Sequence, residues 1–143
     1  MNDCVVESLF EHNGYQCVVV LSILGHRCGY VGIPESHPYF GKNYENLCDI
    51  ECHGGLTYSR GYLLGSELPN IWWIGFDCAH FDDKPDKEAV SNAFKDHPRI
   101  KRYEEMLKVY RWGKVCSQKY VEDQCRHIAD QLSKIHKIRI NEK

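Results

Sequence analysis

Two short stretches concentrate side chains able to hold a metal or move a proton. In CDIECHGG, Cys48 to Gly55, alternate residues of an extended chain share a face, so Asp49, Glu51 and His53 fall together while Cys48, Ile50 and Cys52 fall opposite. Two carboxylates beside an imidazole suit zinc, manganese or iron, or general acid and base work. Gly54 and Gly55 follow at once, free to take positive φ and turn backbone N–H groups toward an anion, and Thr57, Tyr58 and Ser59 add hydroxyls.

The second stretch is IWWIGFDCAHFDD, Ile71 to Asp83. As a strand it puts Trp72, Ile74 and Phe76 on a core face and Trp73, Gly75 and Asp77 on the other, with Gly75 leaving a notch for a flat ligand. Asp77, His80, Asp82 and Asp83 gather just past its end, where binding groups on a rigid scaffold are often carried. If the two strands are neighbours, Glu51, His53, Asp77 and His80 converge as acid and base groups. A divalent metal, zinc or manganese, would then be held by Asp49, His53, Asp77 and His80, and Trp73, Gly54, Gly55, Thr57 and Tyr58 would contact the ligand. The same alternation also describes an ordinary half-exposed strand, and D-x-x-H recurs by chance. His26, Cys28 and Tyr30 share a further strand face that either contributes to the site or packs as a paired interior imidazole and buried thiol.

These groups must be positioned by a scaffold, and the hydrophobic pattern supplies one. Tyr15 to Ile23 is apolar on both alternating faces and rich in β-branched residues, a strand covered on both sides. His26 to Ile33 reads as a second strand, ended by Pro34 and Pro38, after which a loop with aromatic anchors holds a helical turn around Asn43 to Leu47. CDIECHGG and IWWIGFD read as two more strands, separated by the excursion LTYSRGYLLGSELPN. Past Asp77 the period changes. Ala89, Val90, Ala93 and Phe94 have helical spacing with Asp86 as N-cap, Ile100, Tyr103, Leu107 and Tyr110 make a second stripe after Pro98, and Val121, Cys125, Ile128, Leu132 and Ile135 make a third helix from Ser117 to about Ile135. The expected architecture is α+β, one domain over residues 1–143, with a mostly antiparallel sheet from the N-terminal half (roughly 15–77) and C-terminal helices (roughly 86–135) on one side.

Composition narrows the classes of function. The chain has 143 residues, Lys+Arg 18 against Asp+Glu 20 and a net charge of -2, so bulk charge does not recruit nucleic acid or an anionic membrane. The basic residues Lys101, Arg102, Lys108, Arg111 and Lys114 are most simply a solvated face. The longest apolar run, Cys17 to Leu24, is far short of the roughly 20 residues of a membrane helix. The eight cysteines contain no C-x-x-C, which removes the familiar zinc-ribbon and thioredoxin spacings. MNDCVVESLFEHNG shows no secretory h-region, so a reducing cytoplasm with buried free thiols is expected.

GHRCGYVGIPESHPYFGKNYENL, CDIECHGGLTYS, IWWIGFDCAHFDD and QKYVEDQCRHIADQL together resemble a family of small, uncharacterised proteins of bacteriophages and prophages, over most of the chain from Gly25 to Leu132. HGGLTYS and WWIGFDCAH carry the resemblance most specifically, while Phe81, Asp82 and Asp83 depart from the small residue followed by Gly-Asp seen in relatives. The resemblance implies a viral setting in a bacterial host cell, including host takeover or counter-defence, and assigns no catalytic residue. Two functions are expected to compete. One is a metal-assisted hydrolase acting on a small, nucleotide-like substrate. The other is a non-catalytic binder of a host protein or of a signalling nucleotide.

Overall fold

Residues Asn13 and Gly14 both take positive φ, 53° and 88°, and so close a tight hairpin whose turn twist matches that of its strands. In the computed structural model, which describes residues 3–63, 66–67 and 70–141, this hairpin joins β1 (Cys4–His12) to β2 (Tyr15–Ser22). Tyr15 to Ile23 is the expected doubly covered strand, but β1 was not expected. Asn-Gly between alternating runs is the signal that marks it. The sheet continues through β3 (Arg27–Pro34) and β7 (Ile71–Asp77) to the short β4 (Tyr58–Arg60), in the order β1-β2-β3-β7-β4 with every pair antiparallel. β5 (Tyr62–Leu63) and β6 (Ser66–Glu67) form a separate ribbon. Leu64, Gly65, Leu68 and Pro69 of the intervening excursion lie outside the described residues.

The helices occupy one face of this sheet, as expected. α3 (Gln118–Asn141) lays Val121, Cys125, Ile128 and Leu132 on Cys17, Val19, Val31, Ile74 and Phe76, all buried. α1 (Lys87–Ala93) and α2 (Ile100–Leu107) pack Val90, Phe94 and Leu107 on Leu21 and Ile23, which continue the same face of β2. Asp86 caps α1 by accepting the Ala89 N–H at 3.1 Å. The opposite face buries Val18, Val20 and Trp73 with Leu63, so β2 is sealed on both sides. Among the described residues no helix is long and apolar enough to cross a membrane.

One expected element is replaced. Residues 48–55 are a turn-rich loop, not a strand, and β7 has β3 and β4 as neighbours. The reason lies in α3. Gln124 and Gln131, two turns apart on the helix, reach the loop backbone: Gln131 accepts the Glu51 N–H at 2.7 Å and donates to the Glu51 carbonyl at 2.8 Å, and Gln124 accepts the His53 N–H at 2.8 Å. The hydrogen bonds a neighbouring strand would have made are made by side chains instead. Gly54 and Gly55, with φ of 67° and 81°, then turn the chain out of any extended run.

Candidate metal centre

Four side chains from three separate segments meet at the end of the sheet beside the start of α3. His53 comes from the 48–55 loop, Cys78 follows β7, Asp83 ends the turn after it, and Cys116 immediately precedes Ser117, whose side chain accepts the Tyr120 N–H in the first turn of α3. One ligand atom from each lies within 4.8 Å of all the others. His53 Nε2 is 3.0 Å from both Asp83 carboxylate oxygens and 3.7 Å from Cys116 Sγ, which is 3.5 Å from Asp83 Oδ1. Tetrahedral zinc holds nitrogen or oxygen at about 2.0 Å and sulfur at about 2.3 Å, which implies ligand separations of roughly 3.3–3.8 Å. Three of the pairs already approximate that spacing, so the group could hold a metal ion.

Backbone contacts hold the segments in place. The Asp83 N–H donates to the His80 carbonyl, and on either side of it the Lys114 N–H donates to the Asp82 carbonyl and the Lys84 N–H to the Lys114 carbonyl. Gly113, with φ of 98°, permits this approach, since a β-carbon there would lie 2.6 Å from the Asp82 carbonyl oxygen. Arg27, almost wholly buried, bonds Glu7 at 2.6 Å, Asp86 at 2.8 Å and the Cys116 carbonyl at 2.9 Å, tying β1 and the α1 cap to the segment that carries Cys116. His26 Nδ1 donates to the Cys78 carbonyl at 2.8 Å, so this imidazole braces the site from behind.

The electrostatics follow from these contacts. Burial opposes the charge of Asp83, but hydrogen bonds from His53 and the His80 N–H, with the nearby imidazole, outweigh it and hold the carboxyl below its ordinary pKa. The hydrogen bond with Cys116, followed by burial, pushes the Cys78 thiol up. His53 Nδ1 lies 2.8 Å from the Tyr120 hydroxyl. With Nε2–H turned to Asp83, Nδ1 accepts from Tyr120; with a metal on Nε2, Nδ1–H donates to it, and in either state the ring orientation is set by its outer partner.

A cleft of about 770 Å³ opens beside this group, with His53, Asp83 and Cys116 on its wall together with Trp112, Lys114 and Tyr120. Cys78 sits behind them, 2% exposed.

Of the metal set expected from sequence, Asp49, His53, Asp77 and His80, only His53 belongs to this group. Asp49 accepts a hydrogen bond from Tyr39, and Asp77 accepts from Thr57 Oγ1 at 3.0 Å and lies 3.6 Å from His80 Nε2. His80 stacks obliquely on His53 with ring centroids 5.9 Å apart, over Gly54, where a β-carbon would strike its Nε2. Glu51 is engaged through its backbone on Gln131. The Gly55 N–H donates to the Cys52 carbonyl, so it is consumed by its own turn. Tyr58 packs edge-on against Tyr30 and donates to the Tyr62 carbonyl at 2.6 Å. Trp73 is buried on the face away from the helices, its indole N–H without a partner among the described residues, and the notch at Gly75 is filled by the Tyr30 ring. The imagined convergence beside Trp73 needed residues 48–53 to be a strand next to β7, and the glutamines of α3 prevent that.

Cys78 and Cys116, expected as core thiols, do pack in and against the core, and they also form half of the group. Asp83 stood within the second candidate stretch, but no spacing rule links positions 53, 78, 83 and 116. All eight cysteines are free, and Cys17 and Cys28 do fill the packing role, with burial pushing their thiols up to about 12 and about 11. No family model, curated protein or solved structure matches this chain.

Proposed function

We propose that this protein is a metal-assisted hydrolase with a zinc centre at His53, Cys78, Asp83 and Cys116, acting on a small, flat substrate held in the adjoining cleft. The observation that carries this is the convergence of two thiols, an imidazole and a carboxylate from three segments beside a cleft large enough for a small molecule. Two sulfur ligands favour zinc over manganese. Zinc, when bound, lowers the pKa of a coordinated water toward neutrality. Of the residues that would hold the ion, Asp83 would be the one able to release it, since it has the His80 N–H at 3.0 Å as a second partner and would not be left bare. His53 is held by Tyr120, and Cys78 and Cys116 anchor the centre. The resemblance to phage and prophage proteins supports a setting in the reducing cytoplasm of a bacterial host, with a part in host takeover or counter-defence.

Elemental analysis of the purified chain and its variants tests the ligand set. About one zinc per chain is expected in the parent, lost in His53→Ala and Cys116→Ser and kept in His80→Ala and Asp49→Ala. A parent without metal after zinc or manganese supplementation would refute the hydrolase and leave a non-catalytic binder of a host protein or a nucleotide, for which the exposed rings of Phe81 and Trp112 offer a contact surface.

A further inference from the structure

We infer that the reaction in this cleft is hydrolytic deamination of a planar amino-heterocycle of nucleobase type, an inference that rests on the metal-hydrolase reading and adds its substrate class. Charge separates it from the hydrolysis of phosphate esters. Cys78 and Cys116 as thiolates cancel both charges of a zinc ion, and the cleft wall adds Asp82 and Asp83 against the single cation of Lys114. Phosphoryl transfer relies on an excess of positive charge around the transferring oxygens, and none is assembled here. Attack on an uncharged ring carbon makes no such demand, and a histidine with two cysteines is the ligand class that zinc nucleobase deaminases employ.

The walls fit a flat ring. Trp112 is 57% exposed and Phe81 83% exposed, yet the two are not splayed into solvent independently: their ring centroids are 4.6 Å apart at 64°, each limiting the motion of the other. The indole lines the cleft that also holds the metal ligands, with Tyr120 in the same wall. A ring that stacks on Trp112 covers apolar surface otherwise left in water, and such stacking accepts any heteroaromatic face. Lys114 is fixed by backbone bonds to both Asp82 and Lys84 and can meet one polar or anionic substituent of the ligand.

The step balances without an oxidant. Water adds its oxygen to the ring carbon that carries the amino group, and Asp83 takes up one of its protons. The carbon–nitrogen bond then breaks, and the amino group leaves as ammonia with the proton that Asp83 returns. The second water proton passes to the ring nitrogen beside that carbon, so the ring keeps a carbonyl in place of the amine. Asp83 suits the transfer because both carboxylate oxygens lie 3.0 Å from His53 Nε2, one of them also 3.5 Å from Cys116 Sγ and the other accepting the His80 N–H.

The zinc-loaded full chain would be incubated with cytosine, cytidine, adenine, adenosine, guanine and guanosine, reading ammonia release, the ring's ultraviolet spectrum and tryptophan fluorescence. Ammonia from at least one of these is expected, with saturable quenching that Trp112→Ala abolishes at unchanged zinc content. Asp83→Asn should retain zinc on its three remaining ligands and stacking on Trp112 while losing at least about 100-fold in ammonia release. A zinc-loaded protein that quenches with none of the six and releases no ammonia would overturn the substrate class and leave the hydrolase reading standing. A chain that binds no zinc would overturn both.

Discussion

His37 shows what an imidazole does in this chain when it is built into the core. Just before Pro38 it anchors a loop: it is 3% exposed, its Nε2 donates to the Leu132 carbonyl at 2.8 Å and its Nδ1 accepts the Tyr39 N–H at 2.9 Å. Both nitrogens are committed to the neutral ring. Burial lowers its pKa below 6.5, with the stacked His136 acting in the same direction, although the bond to Leu132 works the other way; Tyr15 and Tyr39 are its remaining ring neighbours. The unfolded chain therefore takes up a proton near pH 6.5 that the folded chain refuses, so stability from this group is full above that pH and falls as the pH drops toward the lower folded value. Urea titrations at pH 7.5 and 5.5 should show a loss of stability at the acid end. His37→Gln should be less stable at pH 7.5 and show a flatter change between the two; an equal slope would show that other groups carry the effect.

At the scale of elements, the site depends on how loops are pinned to the regular scaffold. The positive φ of Gly113 and its approach to the Asp82 carbonyl bring the segment before α3 against the turn after β7, and thus Cys116 against Asp83. Gly113→Ala meets both an unfavourable φ and a clash at 2.6 Å. It is expected to cost about 1–3 kcal/mol of folding free energy and to weaken zinc binding beyond what that loss explains. Denaturant midpoints measured beside competition with a chromophoric chelator check both, and a variant with parental zinc affinity would free Gly113 of any role in the centre. The helix stripes and the doubly covered β2 were legible because periodicity reports burial directly. The 48–55 segment was not, because its alternation matches a strand, while its backbone partners, Gln124 and Gln131, lie 71 and 80 residues away in the chain from His53 and Glu51.

For the whole molecule, a zinc ion held by these four side chains would join the 48–55 loop, the segment after β7 and the start of α3 into one cooperative unit. Ligand present at 100 times its dissociation constant stabilises the folded state by about 2.7 kcal/mol. Stripping the metal with EDTA should therefore lower Tm by several degrees, reversibly on adding zinc, and leave Cys116→Ser unaffected. A parent whose Tm ignores both treatments would speak against a folded-state metal. The order and type of most elements, the sidedness of the helices and the buried character of β2 were determined by the amino-acid sequence itself, since each follows from which residues leave water over a few turns or strand repeats. The assembly of the centre was decided only by tertiary structure. His53, Cys78, Asp83 and Cys116 carry no local pattern in common, and they meet because side-chain hydrogen bonds from α3, the brace at Arg27 and the close approach at Gly113 bring distant segments to one end of the sheet.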